Sequence, residues 1–239
     1  MENIMTKKYV LHDTVGKVET HIDFKGNLNE QQYEVITSSE GPCLVLAGAG
    51  SGKTRTLIYR LAFLLERGVD PRNILLMTFT NKAAREMRDR TEMLLKYEPK
   101  GLWSGTFHHI GNRSLRIYAK EIGYQQDFSI LDKDDSRSLL KSCMKGIRIK
   151  EVDGKFPKAS VVQSIISLST NTGNSIEDTL DISYPYFLNF TEEIQKIKEL
   201  YDKKKKESNS MDYDDLLSKW KLVLETVPSA RKRFTEQLN

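Results

Sequence analysis

Cysteine is nearly missing from this chain, which holds only Cys43 and Cys143 in 239 residues. Two thiols build no disulfide framework and lack the spacing of a metal site, so both read as buried or incidental. Long apolar runs are missing too. Nothing approaches the roughly 18 to 20 residues that cross a bilayer, and Met1 to Lys8 lack the apolar core of a signal peptide, so a cytoplasmic protein without a membrane partner is expected. Nor does charge of one sign dominate: a formal net charge of +4 with 29% charged residues permits a polyanionic partner without demanding one. Internal repeats and low-complexity tracts are absent. With 38% hydrophobic residues, there is enough to build a core of one or two domains.

Residues 1–26 mix charge and β-branched side chains without a period and read as an extension with no chemistry. Beyond them, strands alternate with helices. A short apolar run from Leu44 to Ala47 breaks into glycines, and Leu57, Ile58, Leu61, Leu64 and Leu65 then recur at helical spacing. Ile74 to Phe79 reads as a second strand, followed by a helix from Asn81 to Leu95 with Ala83, Ala84, Met87 and Leu94 facing inward. A third strand, Leu102 to Gly105, leads into a helix from about Phe107 to Ile122. This alternation predicts an α/β fold whose parallel sheet offers ligand sites beyond the carboxyl ends of its strands. From about Ile117 to Ser210 helical periods dominate, as in Ser136 to Met144 and Ser160 to Leu168, with polar loops such as Ser169 to Ser175. The basic run Lys203 to Lys206 reads as a solvated helix end rather than a binding patch.

The sharpest local pattern is Ala47-Gly48-Ala49-Gly50-Ser51-Gly52-Lys53-Thr54. Holding a triphosphate needs backbone NH groups curled around an anion, and only small residues allow so close an approach. Gly48, Gly50 and Gly52 supply that freedom. Lys53 sets an ammonium beside the β- and γ-phosphates, Thr54 offers its hydroxyl to magnesium, and the helix starting there points its positive end at the ligand. ATP with Mg2+ is the expected cofactor, the metal arriving with the nucleotide.

Around this loop stand Leu28-Asn29-Glu30-Gln31-Gln32, then Thr78-Phe79-Thr80-Asn81-Lys82-Ala83-Ala84-Arg85-Glu86-Met87, then Gly105-Thr106-Phe107-His108, followed by Arg113 and Arg116. In this order and spacing they resemble the Q motif and motifs I, Ia and Ib of the UvrD-like (UvrD/Rep/PcrA) superfamily 1 DNA helicases. The resemblance implies a RecA-like P-loop NTPase sheet, incomplete here, with an inserted helical subdomain. It implies motor domain 1A over 27–115, a helical insert 1B over 116–210 and a return to 1A over 211–239. The stretches Gln126 to Asp135 and Met211 to Leu217 resemble the segments that open and close that insert.

By the same resemblance Gln32 reads an adenine edge, for which an amide carries both a donor and an acceptor. Arg55 lies near the base, whereas on residue type alone it is a surface helix residue. Phe79, Thr80, Asn81 and Lys82 grip single-stranded DNA through an aromatic face and phosphate-holding amides; otherwise Phe79 is core and Asn81 a helix cap. Thr106, Phe107 and His108 make a second contact. His108 and His109 project apart on a helix and have no acidic or cysteine partner spaced to complete a metal site. The implied partner is single-stranded DNA, with duplex DNA as a further one.

Hydrolysis also needs a carboxylate at the end of an apolar strand. Phe128-Ser129-Ile130-Leu131-Asp132 comes nearest, but a serine interrupts it and Asp132 suits a helix cap better. Asp212, Asp214 and Asp215 follow no expected strand. The resemblance places the Asp-Glu pair of motif II just after residues resembling Arg231 to Asn239. Two functions are therefore expected: the front of a 3′ to 5′ helicase that binds ATP and DNA with little hydrolysis by itself, or a binding module without motor activity. A small-molecule kinase would leave Gln32, Phe79 to Lys82 and Gly105 to His108 unexplained.

Overall fold

Capping side chains start several of the helices, and left-handed glycines end others. The computed structural model describes residues 22–38, 41–149, 154–236 and 238, so the predicted extension lies outside the described residues up to position 21. The chain divides into two compact units after Gly105. It is a helix-rich α/β protein with two small sheets.

The first unit contains helices α1 (Phe24–Asn27), α2 (Glu30–Ser38), α3 (Lys53–Glu66) and α4 (Asn81–Leu95) with strands β1 (Leu75–Thr78) and β2 (Trp103–Thr106). Its core gathers Ile22, Phe24, Ile36 and Ala62, ringed by Tyr33, Tyr59, Phe63, Leu94 and Leu95. Phe24 meets Tyr59 and Phe63 edge-on at 6.1 and 5.6 Å between ring centres, and burying such a ring contributes about 2 kcal/mol. Ile22 and Phe24, the end of the stretch read as an extension, are thus part of this core. On α3 the buried stripe is Ile58, Leu61, Ala62 and Leu65, while Leu57, expected inside, is half exposed. On α4 Met87 is joined inside by Thr91, whose hydroxyl donates to the Met87 carbonyl at 2.8 Å and so is satisfied in an apolar setting.

The expected strand at Leu44 to Ala47 is extended chain that joins no ladder. The sheet of the first unit is limited to β1 paired with β2, and the stretch adds to neither edge. Leu44 and Leu46 are consequently 84% and 87% exposed. Cys43 is exposed as well, an incidental thiol, while Cys143 is buried.

The second unit holds α5 (Phe107–Tyr118), β3 (Ser129–Ile130), α6 (Lys133–Lys145), α7 (Ala159–Thr172), α8 (Ile176–Ser183), α9 (Thr191–Glu207), β4 (Ser210–Met211), α10 (Tyr213–Thr226) and α11 (Pro228–Glu236). The helix expected to run from Phe107 to Ile122 tightens at Ala119 into a 3₁₀ turn that Gly123 ends in the left-handed conformation. The loop expected from Ser169 begins later, because α7 continues to Thr172 before Gly173, at φ 76°, stops it. One core lies among α6 to α9, around Leu140, Ile165, Leu180, Ile194 and Ile197. A second, with Leu115, Phe128, Met211, Leu216 and Val223, lies around α5 and α10. β3 and β4 pair in parallel, Ser129 with Ser210 and Ile130 with Met211. Asp212 therefore does follow a strand, a two-residue one, against the expectation. Among the described residues no helix is long and apolar enough to cross a membrane.

Helices α5 and α10 pack closely at Gly111, where a Cβ would stand 2.9 Å from the Leu216 carbonyl oxygen. Gly111→Ala should cost about 1–2 kcal/mol, because prying the helices apart outweighs the better helix propensity of alanine. A lowered urea midpoint with an unchanged slope would report this, and an unchanged midpoint would show that the helices part freely.

A buried ion cluster joins the end of α9 to the start of α10. Lys205, 3% exposed, places its ammonium 2.8 Å from Asp212, 2.7 Å from Asp215 and 3.2 Å from Asp202. Lys219 reaches Asp215 at 3.0 Å, and the Tyr201 hydroxyl donates to Asp212 at 2.9 Å. Burial pushes the Asp215 carboxyl up, but the two lysines outweigh it and hold it below the usual range. Burial likewise opposes charge on Lys205, and the surrounding Asp215, Asp212 and Asp202 raise it above its ordinary value.

Candidate functional site

In the first unit the glycine loop leads directly into α3. Gly50 and Gly52 both take positive φ, 78° and 86°, conformations that L side chains rarely adopt. A Cβ on Gly48 or Gly50 would meet nothing within 4 Å, so the loop is open to an incoming group. Gly52 is the N-cap of α3 and has no side chain to satisfy the first-turn amides. No acidic residue occupies that turn, while Lys53 and Arg55 do. Two cations at the positive end of a helix are unfavourable by themselves and become favourable beside an anion. The donor set thus fits a phosphate group.

Lys53 turns back into the loop and donates to the carbonyls of Ala47 at 3.1 Å and Gly48 at 2.7 Å. The Ser51 hydroxyl also donates to Gly48, at 2.8 Å. Ala49 and Thr54 are exposed on the same stretch. Among the described residues no group of three His, Cys, Asp or Glu side chains could hold a metal ion, so the Thr54 hydroxyl is the protein donor the loop offers to a nucleotide-borne cation.

Gln32 and Arg55 both engage backbone. Gln32 closes a reciprocal cap at the start of α2: its backbone NH donates to the Asn29 side-chain oxygen at 2.8 Å, and its side-chain Oε1 accepts from the Asn29 backbone NH at 3.2 Å. Its Nε2 donates to the Ser51 carbonyl at 3.0 Å. Arg55 donates to the Asn27 carbonyl at 2.6 Å and lies over the Tyr59 ring. Gln31 is exposed on α2.

At the carboxyl end of β1 the chain turns into α4. Phe79 stands 91% exposed there, outside the core of the first unit. Thr80, not Asn81, caps the helix, its hydroxyl accepting from the Ala83 NH at 3.1 Å. Asn81 and Lys82 follow, exposed, in the first turn.

In the second unit Thr106 caps α5 by accepting from the His109 NH at 3.2 Å. Phe107 and His108 are half-buried, and the His108 ring meets Tyr213 edge-on at 5.7 Å, a partner that the sequence pattern missed. Arg116 is structural: its guanidinium lies 3.8 Å from the centre of the Phe128 ring and donates to the Gln126 carbonyl at 2.7 Å. Asp132 caps α6, accepting from the amides of Asp134 and Asp135 at 2.8 Å. A cleft of about 650 Å³ opens between α6, α7 and the start of α10, lined by Ser136, Arg137, Gln163, Asn171, Tyr201 and Tyr213 among others. None of the assigned site residues lines it.

A glycine loop that opens a helix with lysine and threonine, free of acids, is the mark of a phosphate-loop protein. The particular family follows from comparison: the family model of the UvrD/REP helicase N-terminal domain matches residues 28–239, and the chain belongs to that family. It is similar to the ATP-dependent DNA helicase PcrA of Staphylococcus epidermidis (strain ATCC 35984), with 36% identity over 209 residues that make up 87% of this chain and 28% of that protein. The ATP-dependent DNA helicase PcrA of Staphylococcus aureus (strain Mu50) is 34% identical over the same shares. The chain therefore spans about 28% of the length of these relatives.

Proposed function

We propose that this chain forms the ATP- and DNA-binding front of an ATP-dependent DNA helicase that moves 3′ to 5′ on single-stranded DNA and engages duplex at its junctions. The observation that carries the nucleotide part is the start of α3, where Lys53, Thr54 and Arg55 follow an uncapped left-handed glycine with no acid in the turn. Ala47 to Thr54 would wrap the phosphates, and Lys53 would shift from the Ala47 and Gly48 carbonyls to phosphate oxygens. Bound magnesium would neutralise phosphate charge, with Thr54 as its protein ligand. Neither strand of the first unit is followed by a carboxylate, since β1 runs into Phe79 and Thr80 and β2 into Phe107. Little hydrolysis by this chain alone follows.

The domain assignment is part of the same reading. Residues 27–115 and 211–239 would belong to a RecA-like motor domain and 116–210 to a helical insert. What supports a helical insert is the β3–β4 pairing, which brings the two ends of the helical run α6 to α9 together, Ser129 beside Ser210 and Ile130 beside Met211.

DNA contact is assigned to Phe79, Thr80, Asn81 and Lys82 and, in the second unit, to Thr106, Phe107 and His108. Phe79→Ala should weaken binding of a fluorescent single-stranded oligonucleotide roughly tenfold, the scale of one lost stacked base, with nucleotide affinity unchanged. Lys82→Ala should weaken it less and flatten its salt dependence. Equal binding by both variants at low salt would sink the DNA assignment.

A further inference from the structure

The geometry points to a sugar-phosphate site in the second unit, in the cleft between α6, α7 and the start of α10. None of the residues assigned to nucleotide or DNA lines it. Its volume of about 650 Å³ falls inside the range of about 300–1,000 Å³ that small-molecule sites take. All of its lining residues belong to one unit. Helix α7 carries two opposite characters. Its buried face is Val162, Ile165, Ile166 and Ser169, while Ser160, Ser164, Ser167 and Asn171 recur at spacings of three and four and line the cleft as one polar stripe. A face meant only for water is usually charged, and serine helps a helix less than lysine or glutamate would. Short uncharged side chains leave room instead, and their hydroxyl and amide groups hydrogen-bond in either direction. The Ser164 hydroxyl donates to the Ser160 carbonyl at 3.0 Å and keeps its lone pairs for a ligand hydroxyl. Asn171 donates to Asp214 at 2.8 Å through Nδ2, which leaves its Oδ1 as an acceptor.

Helix α6 supplies the charge. The Arg137 side chain is only 33% exposed, its ion pair is with Asp134 at 3.5 Å, and its Nε is buried without an acceptor among the described residues. A guanidinium carries five N–H donors in a planar fork that matches an oxyanion, so a fork held by a single long ion pair keeps donors for a phosphate. Lys133 stands exposed one turn before it on the same lining. Gln163 joins the two helices, its Nε2 reaching the Lys133 carbonyl at 3.5 Å. The carboxylates along the cleft are already matched: Asp132 accepts from two amides of α6, Asp212 from Lys205 and Tyr201, and Asp214 from Asn171. They oppose an anion less than their number suggests. Tyr184 and Tyr213 add rings on which the apolar side of a sugar can rest. A ligand with an oxyanion at one end and several hydroxyls behind it answers the whole set. That ligand is a phosphorylated sugar, either free or as one unit of a DNA strand.

The probe is ribose 5-phosphate, titrated by NMR into the 239-residue chain carrying Lys53→Ala, so that the phosphate loop cannot account for binding. Amides of α6, α7 and the start of α10 should shift with a Kd of about 0.1–1 mM, the ordinary scale for a ligand of so few atoms. Inorganic phosphate should bind at least about tenfold more weakly, because it leaves the serine stripe unused. Arg137→Met should weaken ribose 5-phosphate by about 10- to 150-fold, the scale of a charge-assisted hydrogen bond. Ser164→Ala, which helix propensity favours, should weaken it by about two- to tenfold and leave inorganic phosphate unchanged, and this variant decides the matter should Arg137→Met fail to fold. A single-stranded oligonucleotide that displaces the probe, and whose own binding falls in Arg137→Met, would identify the sugar phosphate as a unit of DNA; no displacement would identify a free small molecule. The site is overturned if no amide of these helices shifts at about 10 mM probe, if inorganic phosphate binds as tightly as the sugar, or if affinity ignores both substitutions. Binding that survives Lys53→Ala sustains it whatever the nucleotide loop does.

Discussion

Lys53→Ala is expected to weaken Mg-ATP binding by roughly 30- to 150-fold while leaving the fold intact, the scale of losing a hydrogen-bonding cation from a phosphate site. The side chain is exposed and its present partners, the carbonyls of Ala47 and Gly48, are exposed or half-exposed themselves. Water can replace it at those oxygens, so stability should move by no more than about 0.5 kcal/mol. Loss of affinity therefore cannot be blamed on unfolding. The check is thermal stabilisation by Mg-ATP: saturating nucleotide should raise the transition temperature of the wild-type chain and leave that of the variant nearly unmoved. An equal rise in both would remove Lys53 from the site. Lys53→Arg should recover little, since a planar guanidinium does not replace a compact ammonium inside so narrow a loop.

Lys205→Ala should destabilise the second unit by about 3–5 kcal/mol, because it leaves Asp212 and Asp215 buried beside each other without their shared cation. Lys219→Ala should cost less, as that lysine pairs with a single carboxylate, Asp215, beside the Tyr124 ring and is more exposed. The effect carries a pH signature. Asp215 is held below its unfolded value, so its contribution is present above about pH 4 and is lost as pH falls through the lower folded value. Lys205 and Lys219 are held above theirs, so their contribution persists to about pH 10 and is lost only as pH rises through the folded values. In Lys205→Ala, burial gains on the remaining attraction, and the acid-side loss should move to higher pH. Transition temperatures measured from pH 3 to pH 8 on both proteins would show it. Parallel curves would mean that the cluster is solvated and of little consequence.

Much of this was legible because local chemistry agreed with the fold. Asp132 caps the helix that follows it, as its residue type suggested, and the periodic runs at Lys53–Glu66 and Asn81–Leu95 became α3 and α4, with Thr80 rather than Asn81 as the cap of the latter. The phosphate loop was readable for the same reason, since only a few residue types can make that turn. What escaped depended on partners distant in sequence. The apolar content of Leu44 to Ala47 marks a strand, but a strand exists only where another pairs with it. Lys205 is hidden in a run of four lysines; only continuing the buried stripe Phe190, Ile194, Ile197 and Tyr201 by one more turn brings it inside. Asp212 and Asp215 could have been found as a capping box, whereas their bond to Lys205 could not. The Gln32 contact was invisible because composition does not say which carbonyl an amide will choose.

The bare stretch Leu44 to Leu46 has a practical outcome. Extended backbone with open amides, carbonyls and large apolar side chains is adhesive toward any other extended segment. Leu44 and Leu46 beside the nucleotide loop are therefore among the places where copies would begin to stick, and a charged replacement at either should raise the concentration at which they do.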